Sequence, residues 1–267
     1  MKRMVTILAL VALAVVGGAV AGLGVSGLFH HGSRAPHSVA ARPGRPLRPS
    51  SSSVGRSAPV RPCASDSMIA TVLTRSVAAR RAPAPRAHAI ARFRRINPEG
   101  SPQTFVVRGV VRRHGRTWYR ALLPLRPNGT MGYIAAGSVT LSQTPYRLLV
   151  VQHRFRLTLW RNCSVVRTFP VGIGAGETPT PTGQFYLASL VRPPTSDSVY
   201  GAYAYGLSAY SKVIRTWKWG GVIGLHGTND PSSVGHNVSH GCIRMRNRAI
   251  LFLVHRLPLG TPITILR

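Results

Sequence analysis

Residues 223–247, IGLHGTNDPSSVGHNVSHGCIRMRN, gather three histidines and a cysteine among turn-forming residues. The apolar run VIGLH (222–226) ends on His226, which predicts a buried strand with an imidazole at its tip, a rigid place from which to act. A thiol attacks a carbonyl as thiolate, so Cys242 needs a neighbouring base, and imidazole serves near neutrality. His226, His236 and His240 are the candidates, and His226 is the base this reading favours. Gly241 lets the chain turn sharply beside the thiol and present amide N–H groups where an acyl oxyanion would develop. His240 would share a face with Cys242 in a strand, but in a turn its orientation stays open.

Outward from this stretch the pattern is one of strands. YRLLVVQ, RFRLTLW and CSVVRTFPVGIG read as successive strands after Pro145, with turns at His153 and Arg161-Asn162. The Gly- and Thr/Pro-rich GAGETPTPTG predicts a loop feeding the strand QFYLASL. RAILFLVHRL has helical spacing, with Ile250, Leu251, Val254 and Leu257 on one side, and TPITIL closes the chain as a last strand. Asn247 can cap that helix or serve as a ligand, Asp230 ahead of Pro231 reads as a turn former, and Ile243 and Met245 read as core. His236 reads as solvent-exposed.

Upstream, TFVVRGVVRR, TWYRALLPL and MGYIAAGSV are short β-type runs separated by His114-Gly115-Arg116 and Arg126-Pro127-Asn128-Gly129. The run RTWYRALLPLRPNGTMGYIAAGSV resembles the bacterial Src-homology-3-like barrels found beside wall enzymes, which implies a small β-barrel-like module over 101–143. Residues 30–100 read as a Pro/Ser/Arg-rich tether, mostly disordered. Within it CASDSMIATVLTRSVAARRA could form a short helix, with Met68, Ile69, Val72 and Leu73 on one side.

At the N-terminus Lys2 and Arg3 precede an uncharged apolar run from Met4 to Phe29, the order of an export signal. Residues 1–29 are therefore a signal peptide or membrane anchor, and the destination is the extracellular side of the cell envelope, anchored or secreted. Ala19-Val20-Ala21 offers a cleavage site, while the run is long enough to span a bilayer; both readings stay open. The charge is +30, from 35 Lys+Arg against 5 Asp+Glu, and lysine occurs only at 2, 212 and 218. Such an arginine excess fits genome bias or attraction to polyanions. Export makes nucleic acid an improbable partner and leaves anionic wall polymers or lipid headgroups. Three cysteines leave an odd thiol, for which Cys242 is the candidate; Cys63 and Cys163 could pair.

HG at 226–227 followed by SHGCIRM at 239–245 resembles the signature of the L,D-transpeptidase (YkuD-type) family. The similarity extends to TPTG at 180–183 and LGTPITI at 259–265, so it covers about 145 to 267. It implies a mainly β chain: an L,D-transpeptidase-type β-sandwich catalytic domain over 145–267, with one or two short helices. It further implies that Cys242 attacks the carbonyl before a D-residue of a peptidoglycan tetrapeptide stem and holds the stem as a thioester. A second stem's amine then resolves the thioester, giving a cross-link. By the same resemblance His226 is proton acceptor and donor, and the backbone carbonyl of Gly227 orients it in place of a carboxylate. Ser239, His240 and Gly241 shape the oxyanion and donor pocket, and Arg244 contacts the substrate's charged end. The resemblance implies no cofactor or metal, and inhibition by carbapenem-type acyl donors.

Alternatives compete with this reading. Water in place of the amine would make an L,D-carboxypeptidase, and acceptor choice depends on cleft shape. A zinc site from His226, His236, His240 and Cys242 lacks the usual paired-ligand spacing. A papain-like hydrolase has its cysteine before its histidine, whereas His226 precedes Cys242 by sixteen residues. A catalytically silent wall-binding protein would lack nucleophile or base, and neither is missing.

Overall fold

Alternation of apolar and polar positions organises the chain from residue 67 onward. The computed structural model describes residues 66–267 except 196 and 217–219. The export segment, the tether through residue 61 and Cys63 lie outside the described residues.

Seven strands come first: β1 (Ser67–Val72), β2 (Ser76–Arg80), β3 (Ala89–Arg94), β4 (Thr104–Arg113), β5 (Arg116–Leu122), β6 (Met131–Ala135) and β7 (Val139–Thr144). They form one sheet of order β3-β2-β6-β5-β4-β1-β7, antiparallel throughout. This corrects two expectations, the tether to residue 100 and the short helix within it. Met68, Ile69 and Val72 fit a helical spacing, but short apolar runs are ambiguous. Val77 and Ala79 are buried at a period of two along β2. β1 finds partners on both sides, Ile69 facing Val106 of β4 and Ser142 of β7, so its backbone groups are shared between two antiparallel ladders that strands distant in sequence supply. The sheet thus begins well before residue 101.

The second half runs β8 (Tyr146–Val151), β9 (Arg156–Arg161), β10 (Ser164–Pro170), β11 (Ile173–Gly174), β12 (Gly183–Val191) and β13 (Ala204–Tyr210). Then follow β14 (Val222–His226), β15 (Asn237–Ser239), β16 (Ile243–Arg244), the helix α1 (Asn247–Val254) and β17 (Pro262–Leu266). Eight of these strands make a sheet of order β10-β9-β8-β17-β12-β13-β14-β16. The closing strand β17 inserts parallel to β8 and antiparallel to β12, with Ile263 opposite both Leu148 and Phe185. β11 and β15 pair separately.

α1 drives Ile250 and Leu253 into the same apolar cluster as Leu225, Ile243 and Met245, whereas Leu251 and Val254 are only half-buried. The mainly β expectation with a short helix therefore holds. The two sheets meet through Tyr186 of β12, which is fully buried against Val106 and Leu122 and donates its hydroxyl to the Thr104 carbonyl at 3.0 Å. Asn97 Nδ2 donates to the Ala188 carbonyl at 3.1 Å, and the Leu190 amide donates to Ser101 Oγ at 3.0 Å. A buried tyrosine with its hydroxyl satisfied joins packing to register.

Candidate active site

β14 and β16 run parallel, with Leu225 opposite Ile243 and His226 opposite Arg244. That register carries Cys242, the residue just before β16, to Gly224, whose amide donates to Cys242 Sγ at 3.3 Å. Positions 224 and 226 share one face of β14, because strand side chains alternate. The thiol beside Gly224 therefore meets the face that bears the imidazole, although sixteen residues separate the two in sequence. Glycine leaves room here: a Cβ at 224 would sit 3.1 Å from His226 Cδ2, tight enough to displace the ring by a few tenths of an ångström, and 3.5 Å from Cys242 Sγ, an ordinary contact.

His226 is 3% exposed. Its Nδ1–H donates to the Gly227 carbonyl at 2.5 Å, which leaves Nε2 as the basic nitrogen. Burial lowers its pKa to about 4, against the opposing pull of that carbonyl, and the Arg244 charge lowers it further. Burial raises the Cys242 thiol above its ordinary value, opposed by the Gly224 N–H and by Arg244. At neutral pH the pair is therefore thiol and neutral imidazole. Tyr200 stacks edge-on against His226, ring centroids 5.1 Å apart, and its own pKa is raised by burial and by Cys242.

The turn that carries the thiol is held from two sides. Gly241 has φ +109°, the left-handed region that a side chain resists. Ser239 Oγ accepts from the Gly241 amide at 3.1 Å and donates to the Cys242 carbonyl at 2.6 Å. The Gly241 N–H, expected to face an oxyanion, is thus engaged by Ser239 in this state. From the other side Thr180 Oγ1 donates to the Gly241 carbonyl at 2.9 Å and accepts from the Gly174 amide at 2.9 Å. This gives the TPTG loop a physical task that its sequence alone did not reveal.

His240 is exposed and lines, with Cys242 and Tyr200, a cavity of about 390 Å³. Arg244 is half-buried, exchanges backbone hydrogen bonds with Gly172, and has a buried Nε without a partner among the described residues. His236 is exposed, and Asp230 accepts from the Ser232 amide at 3.1 Å as a turn former. Asn247 does not cap α1, whose N-cap is Arg246 with no side-chain bond. Its Oδ1 instead accepts from the amides of Ala202 and Thr228, each at 3.1 Å, pinning the chain beside Gly227 and so the carbonyl that orients His226.

A thiol, a buried imidazole and a carbonyl that fixes its tautomer, converging beside one cavity on a β framework, have the arrangement of a cysteine acyl-transfer enzyme. Residues 145–265 match the family described as YkuD, L,D-transpeptidase catalytic domain. The chain is 35% identical over 157 residues to a Bacillus licheniformis protein that bears the name L,D-transpeptidase YkuD, covering 56% of this chain and 87% of that protein. Identity to the Bacillus subtilis protein of the same name is 36% over 153 residues, covering 55% and 85%. Among solved structures, LD transpeptidase LdtMt1 in complex with imipenem is similar with TM-score 0.39 and 18% identity, covering 60% of this chain and 98% of that one. The chain belongs to the YkuD family of L,D-transpeptidases.

Proposed function

We propose that this protein cross-links peptidoglycan stem peptides through a thioester on Cys242. The observation that supports it most is the parallel β14–β16 register, which sets Cys242 Sγ and His226 on either side of the vacant Gly224 position. As Sγ attacks the carbonyl before the terminal D-residue of a tetrapeptide stem, its proton passes to His226 Nε2. The imidazolium, held by the Gly227 carbonyl, returns that proton to the departing amino group, and the stem remains as a thioester. The amine of a second stem then attacks, gives its proton to His226, and the thiol re-forms. Each proton has one carrier.

Arg244 favours the thiolate electrostatically and disfavours the imidazolium, while burial, the larger cause for both groups, favours their neutral forms. By the family resemblance Arg244 is the residue that contacts the substrate's charged end. Ser239 and Gly241 shape the turn, and His240 faces the donor. The apolar N-terminus directs the chain out of the cytoplasm, where its +30 charge favours anionic wall polymers or lipid headgroups. The strands around RTWYRALLPLRPNGTMGYIAAGSV are read as a Src-homology-3-like module of that extracellular enzyme.

Incubation with a tetrapeptide stem, followed by chromatography, tests the reading. A cross-linked dimer and free D-residue are expected, and Cys242→Ala should give neither. Release that persists in Cys242→Ala, or no release by the intact protein, overturns it; tripeptide without dimer assigns water as the acceptor.

A further inference from the structure

The catalytic cavity is bordered by Ser211, Ile214, Gly221 and Val222, and also by Glu99, a residue of the N-terminal sheet region. The Ser211 amide donates to the Gly221 carbonyl at 2.8 Å, which ties these border residues together at their base. Three carbonyls there point toward one guanidinium. Arg126, from the turn between β5 and β6, donates through one terminal nitrogen to the Ser211 carbonyl at 2.5 Å. Through the other it donates to the carbonyls of Ile214 at 3.0 Å and Gly220 at 2.8 Å. Its Cζ lies 4.9 Å over the Tyr210 ring.

Next to it Asn128 exchanges a pair of hydrogen bonds with the Tyr210 backbone, at 2.8 and 2.9 Å, and the Tyr210 hydroxyl donates to the Pro124 carbonyl at 3.0 Å. We infer that Arg126 is a positioning residue for the acyl-transfer reaction, through which the N-terminal sheet sets the border of the cavity that receives the stem peptide.

The chemistry supports a shaping role over a merely cohesive one. Three carbonyl oxygens converging on one region repel one another, and a planar fork with several fixed donors relieves that repulsion where a single ammonium would satisfy one or two of them. Arg126 is itself exposed, so its loss hands the carbonyls to water instead of leaving buried orphans. The sheets would still be joined through Tyr186 and Thr104. The hydrogen bonds and ring contact of Arg126 among the described residues reach Ser211, Ile214, Gly220 and Tyr210 and neither Cys242 nor His226, so the intrinsic reactivity of the thiol should not depend on it.

The inference rests on the acyl-transfer reading, and the test separates the two. Full-length wild type, Arg126→Ala and Arg126→Lys are compared for tetrapeptide turnover and for alkylation of Cys242 by iodoacetamide, a reagent too small to need the cavity's shape. Both variants should lose about 10-fold in kcat/KM, mostly through KM, because misplacing a binding surface costs affinity for a large substrate. Alkylation rates should match wild type. Unchanged kcat/KM in Arg126→Ala overturns the inference. So does a parallel fall in alkylation, which marks general disruption, or full activity in Arg126→Lys, which would mean that charge alone matters. Should Arg126→Ala not fold, Arg126→Lys and Arg126→Gln carry the same comparison. Wild type that alkylates normally but turns over no peptide overturns the underlying function.

Discussion

The cavity is built from two regions held by different physics. At the β14–β16 junction His226 is buried and Cys242 half-buried, and their spacing is set by strand register and by the missing side chain of Gly224. On the side of the seven-stranded sheet, the border is held by hydrogen bonds from the exposed Arg126 and the half-buried Asn128. Proton transfer needs sub-ångström placement, which a buried strand provides. Accommodation of a large peptide needs a shaped surface, which solvent-facing contacts can hold and evolution can retune. Damage at the junction should therefore appear in the chemical step, and damage at the border in substrate affinity.

The strongest challenge to this division is His226→Ala, which should lower kcat on the order of 10²–10⁴-fold with little change in KM, since it removes the proton carrier alone. A large KM effect would erase the contrast between the two regions. Next comes Gly224→Ala. Its Cβ would press on His226 Cδ2 at 3.1 Å, so a shift of a few tenths of an ångström should cost about 10-fold in kcat while the melting temperature stays close to wild type.

Smaller again is Asn247→Ala, which orphans the amides of Ala202 and Thr228 and should cost about 1–3 kcal/mol of stability, read by denaturant titration, with a modest loss of kcat through Gly227.

The pH dependence sharpens the same point. His226 titrates at about 4 in the fold, below the roughly 6.5 of an unfolded histidine, so the unfolded chain binds more protons between those values. Its contribution to stability is complete above pH 6.5 and is lost as pH falls toward 4. The acid limb of kcat/KM should likewise lie near 4, not near 6.5. Urea titrations across pH 4 to 7 on wild type and His226→Ala check the stability half, since the variant should show a flatter profile.

The two regions also differ in how openly the sequence displayed them. Between Tyr146 and Leu266 the strands β8, β9, β10, β12, β14 and β17, the terminal helix and the place of His226 at a strand tip could be read directly, because apolar runs and Gly-rich turns agree there, whereas β13 and the short β15 and β16 were missed. Ser67–Arg80 differs from the expected helix because Met68, Ile69 and Val72 suit either period, and the decision comes from strands far along the chain; Ala89–Arg94, expected as tether, is a strand paired with β2.

In the site, the sequence pointed to Cys242 and His226 by residue type and to the Gly227 carbonyl by resemblance, and the fold brings the three together. The tasks of Asn247 and Thr180 and the contacts of Tyr200 and Arg126 were not, since each depends on a partner brought close only by folding. Asn247 looked like a cap because local sequence offers nothing to suggest Ala202. The Thr-Pro-Thr-Gly run at 180–183 was a signal for Thr180, but its partner Gly241 lies 61 residues on.

The central claim is that Cys242 takes an acyl group with His226 as its proton carrier. Intact mass spectrometry after mixing with a carbapenem tests it most directly. A single adduct that maps to Cys242, is absent from Cys242→Ala and forms far more slowly in His226→Ala is predicted. An adduct on another residue, or equal rates in wild type and His226→Ala, would contradict it.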